Sequence, residues 1–549
     1  MMSSYPHRIR PSGLTLFALL IAVVMVIPLL SVATNVFNAG TSDTWAHLMA
    51  TVMPDYITTT VVLCLGVGIG TALVGVGAAW LVTHCEFPGR RVFEWALVLP
   101  LAMPAYVMAY AYTDVLQFSG PVQTWLRASF NLTRADYWFP DVRTLAGAIF
   151  MFIGVLYPYV YMLTRTAFLE RGGAVTEAAR SLGLSPWQSF VRVSLPIARP
   201  AIAAGMALAL METLADYGAV SYFAVQTFTT GIYRAWFSLG DRVAAAQLAM
   251  CLLGFVLVVL SIEQSSRGRA RFHGTGLRKP SRAHRLRKWP SGLAVVACLI
   301  PILIGFVLPG GVMLHMALTD GDAQFGTRFL TLARNSFLVS AMTAVLAVAL
   351  ALIVAYARRL HPTPWTSMAH RAIGMGYALP GSVIAVGVLI PVTQLDNALV
   401  SALKAHFGWQ GGLILTGGIA ALVYACLVRF LTAALQNVDA ALHRVTPHMD
   451  DAARSLGLSS GKTLLRVHLP LLRRGLLTAG LLVFIDVMKE LPATLVMRPF
   501  NFDTLATQVY TLASDERLSE ASTAALAIVA VGLVPLIILC RQIAAERQA

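Results

Sequence analysis

The sequence predicts an all-α integral membrane protein made of two homologous halves. Of its 549 residues, 57% are hydrophobic and only 12% are charged, against about 25% charged in soluble domains, and the mean hydropathy is +0.71. The apolar runs are long enough to cross roughly 30 Å of hydrocarbon as helices of about 20 residues, and they lack the alternation of a membrane barrel. A string that returns in the second half predicts a duplication.

The repeated string is EAARSLGLSPWQSFVRVSLP at 177–196 and DAARSLGLSSGKTLLRVHLP at 451–470. The second copy begins half a chain length after the first. Each half therefore carries one polar, arginine-bearing segment between apolar stretches. Because the period is far too long for a solenoid, it indicates two fused homologous domains.

Twelve membrane spans are predicted, six in each half. They lie near 13–36, 56–83, 92–118, 143–168, 199–225, 243–262, 291–318, 335–357, 372–392, 412–435, 475–496 and 521–540. The predicted domains are residues 1–262, a basic linker at 263–290, and residues 291–549. Pro104 and Pro380, which occupy nearly the same place in the two halves, predict kinks in the third and ninth spans.

The basic residues predict the orientation. With the N-terminus inside, the connections assigned to the cytoplasm hold 29 of the 41 Lys and Arg residues, as the positive-inside rule requires. Both termini are then cytoplasmic, and an even number of spans per half makes the repeat parallel, with a pseudo-two-fold axis along the membrane normal. Because these charges are spread over short connections and are not gathered on one face, we expect anionic lipid as their partner and no nucleic acid.

The first apolar run argues against a signal peptide, and the cysteines argue against disulfides and a metal cluster. The apolar run from Leu14 to Val32 is too long for the core of a signal peptide, so a retained first helix is expected. The six cysteines are scattered without CxxC spacing, which favours neither disulfides nor a metal cluster. No metal site is assigned.

Both copies of the repeated segment read as short helices. In the first, Thr176 is a plausible cap and Gly183 a stop; in the second, Asp450 or Asp451 begins the helix and Gly457 ends it. The paired alanines give a helix face with little bulk, which suits close docking against another surface. A Leu-Pro pair then marks the return of each segment toward the membrane.

These segments resemble the EAA loop of permeases from binding-protein-dependent ATP-binding-cassette importers. In that family the loop forms a coupling helix seated in a groove of the ATPase subunit. The resemblance implies a type I importer-like fold in a bacterial inner membrane, served by two copies of a cytoplasmic ATP-binding-cassette subunit and a periplasmic binding protein. It assigns the coupling role to Glu177, Ala178, Ala179, Gly183, Pro196, Asp451, Ala452, Ala453, Gly457 and Pro470.

The chain offers no nucleotide site of its own. Gly461-Lys462-Thr463 looks like the end of a phosphate-binding P-loop, but the first glycine of that motif would fall at 456, which is leucine. No nucleophile, base and orienting group can be assembled either. We therefore expect a transport subunit and not an enzyme, without a bound cofactor, and with ATP and Mg²⁺ on the partner subunit.

Charged residues inside the spans need a reason, since each costs about 2.5–3.5 kcal/mol at mid-bilayer. Asp216 and Glu490 are separated by the same interval as the two copies of the repeated string and are therefore mates in the repeat. One interpretation is a translocation path for a cationic or polar cargo; the other is local pairing and capping, and the sequence leaves both open. The path candidates are Glu212, Asp216, Tyr217, Asp486, Lys489 and Glu490.

The stretches 211–249 and 489–522 resemble fused ferric-iron permeases. The resemblance implies that a periplasmic binding protein delivers Fe(III), a hard cation that prefers oxygen ligands such as Glu212, Asp216, Tyr217, Tyr222 and Glu490. Thiamine, for which an aromatic cage would be expected, sulfate and polyamine remain alternative cargoes. A carrier driven by an ion gradient, with the acids as proton relays, is the alternative of a different class.

Overall fold

The computed structural model describes residues 13–35, 42–267, 284–286, 288–319, 326–408, 410–443 and 445–545. Within these ranges it describes no side chains at 42–44, 170–178, 180, 186, 267, 447 and 538–545. The predicted basic linker lies largely outside the described residues, as do the basic residues at the N-terminus and the C-terminal end.

The described chain is almost entirely helical, which confirms the predicted all-α class. The helices of the first sequence half are α1 Gly13–Asn35, α2 Ser42–Thr51, α3 Met53–His84, α4 Arg90–Ala96, α5 Ala105–Leu116, α6 Pro121–Phe130, α7 Leu145–Ser181, α8 Pro186–Ser189, α9 Leu195–Ala215, α10 Gly218–Tyr222, α11 Phe228–Tyr233 and α12 Arg242–Arg267.

The second half contains another twelve described helices. Its helices are α13 Trp289–Ile302, α14 Leu308–Thr319, α15 Thr327–Leu360, α16 Pro364–Gly374, α17 Gly381–Phe407, α18 Ala420–Leu442, α19 Pro447–Ser455, α20 Ser460–Thr463, α21 Leu469–Met488, α22 Pro492–Met497, α23 Leu505–Ser514 and α24 Leu518–Ala545. Two residues of extended chain, β1 Cys85–Glu86, pair in parallel with β2 His284–Arg285.

Ten helices in the described part of the chain are long and apolar enough to cross a membrane, or eleven if one bent pair counts as a span. The remaining predicted span, near 475–496, corresponds to α21 and α22. Helix α21 carries Arg473, Arg474 and Asp486, and these charges set it apart from the ten. Within the described residues, length and composition thus support ten or eleven of the twelve predicted spans.

The third span of the first half is broken where a kink was predicted. Residues Arg90–Ala102 and Ala105–Phe130 meet at 92°, and Pro104 is the N-terminal cap of α5. Pro380 caps α17 in the same way. Because proline has no N–H to donate, it is tolerated at a helix start, and each proline here begins a new helix after a short 3₁₀ turn.

The chain forms two compact units, and each draws on both sequence halves. One unit contains residues 1–37 and 334–502, and the other contains 38–333 and 503–549. This division by contacts differs from the predicted division by sequence repeat, because the first helix of each half packs with helices of the other half. The predicted domains, residues 1–262 and 291–549, describe the sequence repeat and not the compact units.

In the first unit, α1 packs along α16 and α17. The Tyr424 hydroxyl donates to the Val24 carbonyl at 2.5 Å. Gly387 faces Pro28 so closely that a β-carbon there would lie 2.4 Å from the Pro28 carbonyl oxygen. Small residues that let backbones approach are a usual means of helix association in membranes, and glycine is required at this crossing.

In the second unit, α13 and α14 pack with helices of the first sequence half. The Tyr112 hydroxyl donates to the Ile304 carbonyl at 2.7 Å, in the π-helical turn that joins the two helices. The core of this unit lies between α3, α7 and α13, where Val82, Tyr157 and Cys298 are fully buried.

Candidate functional site

The two copies of the repeated segment end in the same local structure. Gly183 and Gly457 have positive φ values of 84° and 76°, a conformation that glycine adopts without strain. The Leu184 N–H donates to the Ala179 carbonyl at 3.1 Å, and the equivalent bond in the second copy is 3.0 Å long. This backward bond across a left-handed residue is the Schellman motif, and it confirms both predicted helix stops.

Burial is also repeated between the copies. The second alanine of each segment, Ala179 or Ala453, is only 5% or 4% exposed, whereas Leu182 and Leu456 are 83% and 81% exposed. Each segment therefore packs one small residue inward and presents a leucine to the surroundings immediately before its terminal glycine. An exposed leucine at the end of a polar helix suits insertion into a partner's groove.

The starts of the segments differ from the sequence expectation. In the first copy α7 continues without a break to Ser181, so the predicted separate start at Thr176 is wrong. In the second copy the helix begins at Pro447, with Thr446 at the cap position, ahead of the predicted start at Asp450 or Asp451. Proline fits the first position of a helix because its missing N–H would have no intrahelical partner there.

The acidic positions of the motif are exposed where they are described. Asp451 has a side chain 66% exposed and lies 3.2 Å from Arg454, and Ala452 is exposed. A surface pair of this kind contributes about 0–1 kcal/mol. Glu177 and Ala178 lie within α7, and their side chains are outside the described set.

After the glycines, both copies return through a π-helical turn. The turns are Phe190–Ser194 and Leu464–His468, which are equivalent positions of the repeat, and Pro196 and Pro470 occupy the second position of the following helices α9 and α21. A π turn adds a residue to the helical circuit and is common at functional sites. Its repetition shows that the duplication preserves backbone detail.

An arginine clamps the second segment. Arg359, at the end of α15, donates to the Asp450 carboxylate at 2.6 and 3.1 Å. It also donates to the carbonyls of Leu442 and Val445 at 3.0 and 2.9 Å. One guanidinium thus satisfies a carbonyl at the end of α18 and holds the first turn of α19, so the break between the helices has a fixed geometry.

A buried histidine completes this network. His468 is fully buried, and its Nε2 lies 2.8 Å from the Asp450 carboxylate. Burial lowers the pKa of His468 below its usual value; Asp450 opposes this shift and Arg359 adds to it. The Tyr356 hydroxyl, from α15, donates to the Ser460 carbonyl at 3.0 Å. The turn before α21 is therefore joined to both α15 and α19.

The first copy does not have the residues of this network. At the positions of the first repeated segment that correspond to Asp450 and His468, the sequence has Thr176 and Ser194. The two segments share their ends but differ in how their starts are held.

A second polar contact recurs with the acidic and the basic residue exchanged. In the first half Arg165 of α7 lies 3.5 Å from Glu94 of α4. At the corresponding place of the second half, Asp439 of α18 contacts His370 of α16. Each pair joins the short helix α4 or α16 to the long helix α7 or α18, so the contact is kept while the acidic and basic residues change sides.

The fifth span of the first half is broken at a predicted path residue. Helix α9 ends at Ala215 and α10 begins at Gly218. The Asp216 carboxylate between them accepts hydrogen bonds from the N–H groups of Ala219 and Val220 at 2.9 and 3.1 Å. Asp216 therefore caps α10.

Glu490 has the equivalent place in the second half. It is 5% exposed and accepts from the N–H groups of Ala493 and Thr494 at 2.9 and 3.0 Å, which caps α22. The Arg429 guanidinium lies 3.5 Å from it. Capping by the repeat mates Asp216 and Glu490 is thus a second structural feature that the duplication preserves.

The other charged path candidates have local contacts or half-buried positions. Lys489 lies 3.0 Å from Asp486, as local pairing predicted, and Glu212 is half-buried. Tyr217 stacks on Tyr233 with ring centroids 3.7 Å apart. A part in translocation stays a prediction for these residues, beside the capping and pairing that the geometry shows.

Three contributors to these sites were not predicted. Arg359 and His468 fall in or beside the basic connections, where charge in the sequence indicates only the orientation. Arg429 is visible in the sequence as a charge within a span, but nothing there matches it to Glu490. A search for oppositely charged residues at equal depth in neighbouring spans would have found that pair.

A helical membrane protein with a duplicated segment, repeated in sequence and in backbone, defines a duplicated permease. Residues 71–266 match the family described as binding-protein-dependent transport system inner membrane component. These residues belong to that family and include the first repeated segment. The chain is therefore a multi-pass membrane protein whose residues 71–266 are similar to inner-membrane components of binding-protein-dependent transport systems.

The similarity to one fused relative extends over the whole chain. It is 26% identical over 545 residues to an Fe(3+)-transport system permease protein of Haemophilus influenzae, covering 97% of this chain and 99% of the relative. Sulfate and molybdenum transport system permease proteins of Escherichia coli are 27% and 29% identical. They match 38% and 34% of this chain, and 72% and 81% of their own lengths.

Proposed function

We propose that this chain carries ferric iron from a periplasmic binding protein to the cytoplasm, with ATP hydrolysed by a separate subunit. The observation that carries the cargo assignment is the similarity to a Fe(3+) permease along 97% of the chain. The oxygen-rich residues near the break of the fifth span agree with a hard cation.

The proposed docking points for the ATPase are the two segments that end at Gly183 and Gly457. Leu182 and Leu456, with more than 80% of their surface exposed, are the apolar contacts each segment offers to a partner. The left-handed glycine behind each leucine fixes the direction in which it points. Two equivalent segments in one chain match two copies of an ATPase subunit.

An oxyanion cargo is the second candidate, because sulfate and molybdenum permeases also match part of the chain. Their matches cover little more than a third of this chain, which is why iron is preferred. Thiamine and polyamine remain alternatives from the sequence, and they predict a different ligand on the cognate binding protein.

The cargo is tested by reconstitution into liposomes with the candidate ATPase inside and the binding protein outside. We expect ATP-dependent uptake of radioactive iron, unaffected by an excess of sulfate, molybdate or thiamine. ATP-dependent uptake of one of these other cargoes without iron uptake would overturn the iron assignment alone. Iron uptake without ATP that collapses with the proton gradient would favour the ion-driven carrier.

A further inference from the structure

A cluster of tyrosines lies against the break of the fifth span, within one compact unit. The rings of Tyr110 and Tyr222 meet edge to face with centroids 4.5 Å apart. The Tyr510 hydroxyl donates to the Tyr217 hydroxyl at 3.3 Å. We call Tyr110, Tyr217, Tyr222 and Tyr510 the tyrosine cluster; its members come from α5, α10, α23 and the turn before α10.

The hydroxyl of Tyr110 has no hydrogen-bond partner among the described residues, although the residue is only 1% exposed. It lies within electrostatic reach of Tyr106, Tyr510, Asp216 and Tyr222. An unsatisfied buried hydroxyl costs about 1–3 kcal/mol, and phenylalanine would fill the same space without that cost. Aromatic packing therefore accounts for the ring of Tyr110 but not for its oxygen.

The composition of the cluster favours a hard cation. Phenol and carboxylate oxygens are ligands that Fe(III) accepts. In the described part of the chain, no three His, Cys, Asp or Glu side chains are grouped so as to hold a metal, so tyrosine oxygens are needed for any such site. An oxyanion would be repelled by the Asp216 carboxylate within the same group.

A positive charge stands at the margin of the cluster. Arg143 lies over the Tyr222 ring, 4.9 Å from its centroid, and donates to its hydroxyl at 3.5 Å. It also lies 3.9 Å from Glu516. Arg143 thus lies at the exposed margin, between Tyr222 of the cluster and Glu516.

We propose that the tyrosine cluster, with Asp216, is a transient site at which ferric iron is held during its passage through the permease. This inference rests on iron as the cargo. Each phenol that coordinates the ion releases its proton to solvent, because the phenolate is the strong ligand and metal binding releases protons. The Tyr110 oxygen, which has no hydrogen-bond partner among the described residues, then has the ion as its partner.

The test uses the full chain purified in lipid nanodiscs and titrated with ferric citrate. Coordination by phenolate produces a visible charge-transfer absorption, which ferric citrate bound elsewhere does not give. Tyr110→Phe and Tyr510→Phe each remove one oxygen and keep the ring. Tyr157→Phe is the matched control, since that hydroxyl is also buried without a described hydrogen-bond partner but belongs to the α3, α7 and α13 core.

We expect the absorption in the wild type and in Tyr157→Phe, with iron affinity about 10–100-fold lower in Tyr110→Phe and Tyr510→Phe. ATP-dependent iron uptake should fall in the same two variants. Absence of the absorption in the wild type, or equal iron affinity in all four proteins, would overturn the site. Binding of radioactive sulfate to the wild type that is lost in Tyr110→Phe would show an oxyanion site and overturn the cation class.

These experiments distinguish an error in the transient iron site from an error in the cargo assignment. If the wild type imports iron with ATP and both cluster variants import it at the same rate, the importer function stands and the transient site is wrong. If the reconstituted wild type imports a different cargo and no iron, both proposals are wrong.

Discussion

Arg359 and Arg358 are neighbours at the end of α15 with very different surroundings. Arg359 holds the Asp450 carboxylate and two carbonyls at the start of the second coupling segment, whereas Arg358 is 47% exposed and lies 3.9 Å from Asp439. A hydrogen bond to a charged group contributes about 1.5–3 kcal/mol, and an exposed ion pair about 0–1 kcal/mol.

Arg359→Gln should therefore loosen the second coupling segment. We expect a lower ratio of cargo moved to ATP hydrolysed, with the permease still inserted and the ATPase subunit still bound, because the docking leucine is unchanged. Arg358→Gln is the matched control and should behave as the wild type. Equal ratios in both variants would show that the clamp has no part in coupling.

His468 predicts a pH dependence of stability. Because its pKa in the folded chain is below the usual 6.5, the unfolded state takes up a proton first as pH falls, and the folded state loses stability below about pH 6.5. His468→Asn should flatten the melting temperature of the detergent-solubilised permease across this range. The exposed His443→Asn is the control, and an unchanged slope in His468→Asn would contradict the assignment.

At the scale of single elements, Asp216 at the break of the fifth span has two roles to test separately, helix capping and translocation. Asparagine caps helices as well as aspartate does, whereas alanine costs about 0.5–2 kcal/mol. We expect Asp216→Asn to keep the stability of the permease and to lower uptake, and Asp216→Ala to lower both. Normal uptake by Asp216→Asn would leave Asp216 with the capping role alone.

The ends of the two repeated segments could be predicted from sequence, but their starts could not. Gly183 and Gly457 mark stops because glycine is favoured in the left-handed conformation, a local preference. The start at Thr176 was wrong because α7 continues through it, and a continuous helix already provides partners for the N–H groups that a cap would satisfy. Helix capping signals predict a possible start and do not require one.

The tyrosine cluster could not be predicted from the sequence, for a different reason. Tyr110, Tyr217 and Tyr510 lie far apart along the chain, and no periodicity in sequence links them. Paired aromatics are the expectation for thiamine, yet the structure assembles them beside Asp216. The Tyr157 hydroxyl in the core between α3, α7 and α13 also has no described hydrogen-bond partner. The position of the Tyr110 hydroxyl near Asp216 and Tyr510 therefore distinguishes the candidate ligand site from ordinary aromatic packing.

At the scale of the whole molecule, the exchange of first helices between the sequence halves has a testable consequence. Each compact unit needs helices from both halves: α1 packs with α16 and α17, and α13 and α14 pack within the other unit. A single half therefore leaves helix surfaces without the helices that cover them here.

Expression of residues 1–275 and 276–549 as separate chains should show this dependence. We expect uptake when both chains are produced together, and low abundance of either chain produced alone, measured in isolated membranes. A half that purifies alone as a stable, monodisperse protein with its own first helix docked would contradict this account.

The central claim is that two repeated segments couple this permease to an ATPase. The most direct measurement is the cargo moved per ATP hydrolysed in liposomes containing Gly183→Val, Gly457→Val or both. Each change forces valine into a left-handed conformation that costs about 1–2 kcal/mol and misdirects the adjacent leucine, whereas Gly461→Val is a control without positive φ. We predict that each single change lowers the ratio, that the double change abolishes it, and that the control retains it. A double variant that inserts normally and couples as well as the wild type would contradict the account.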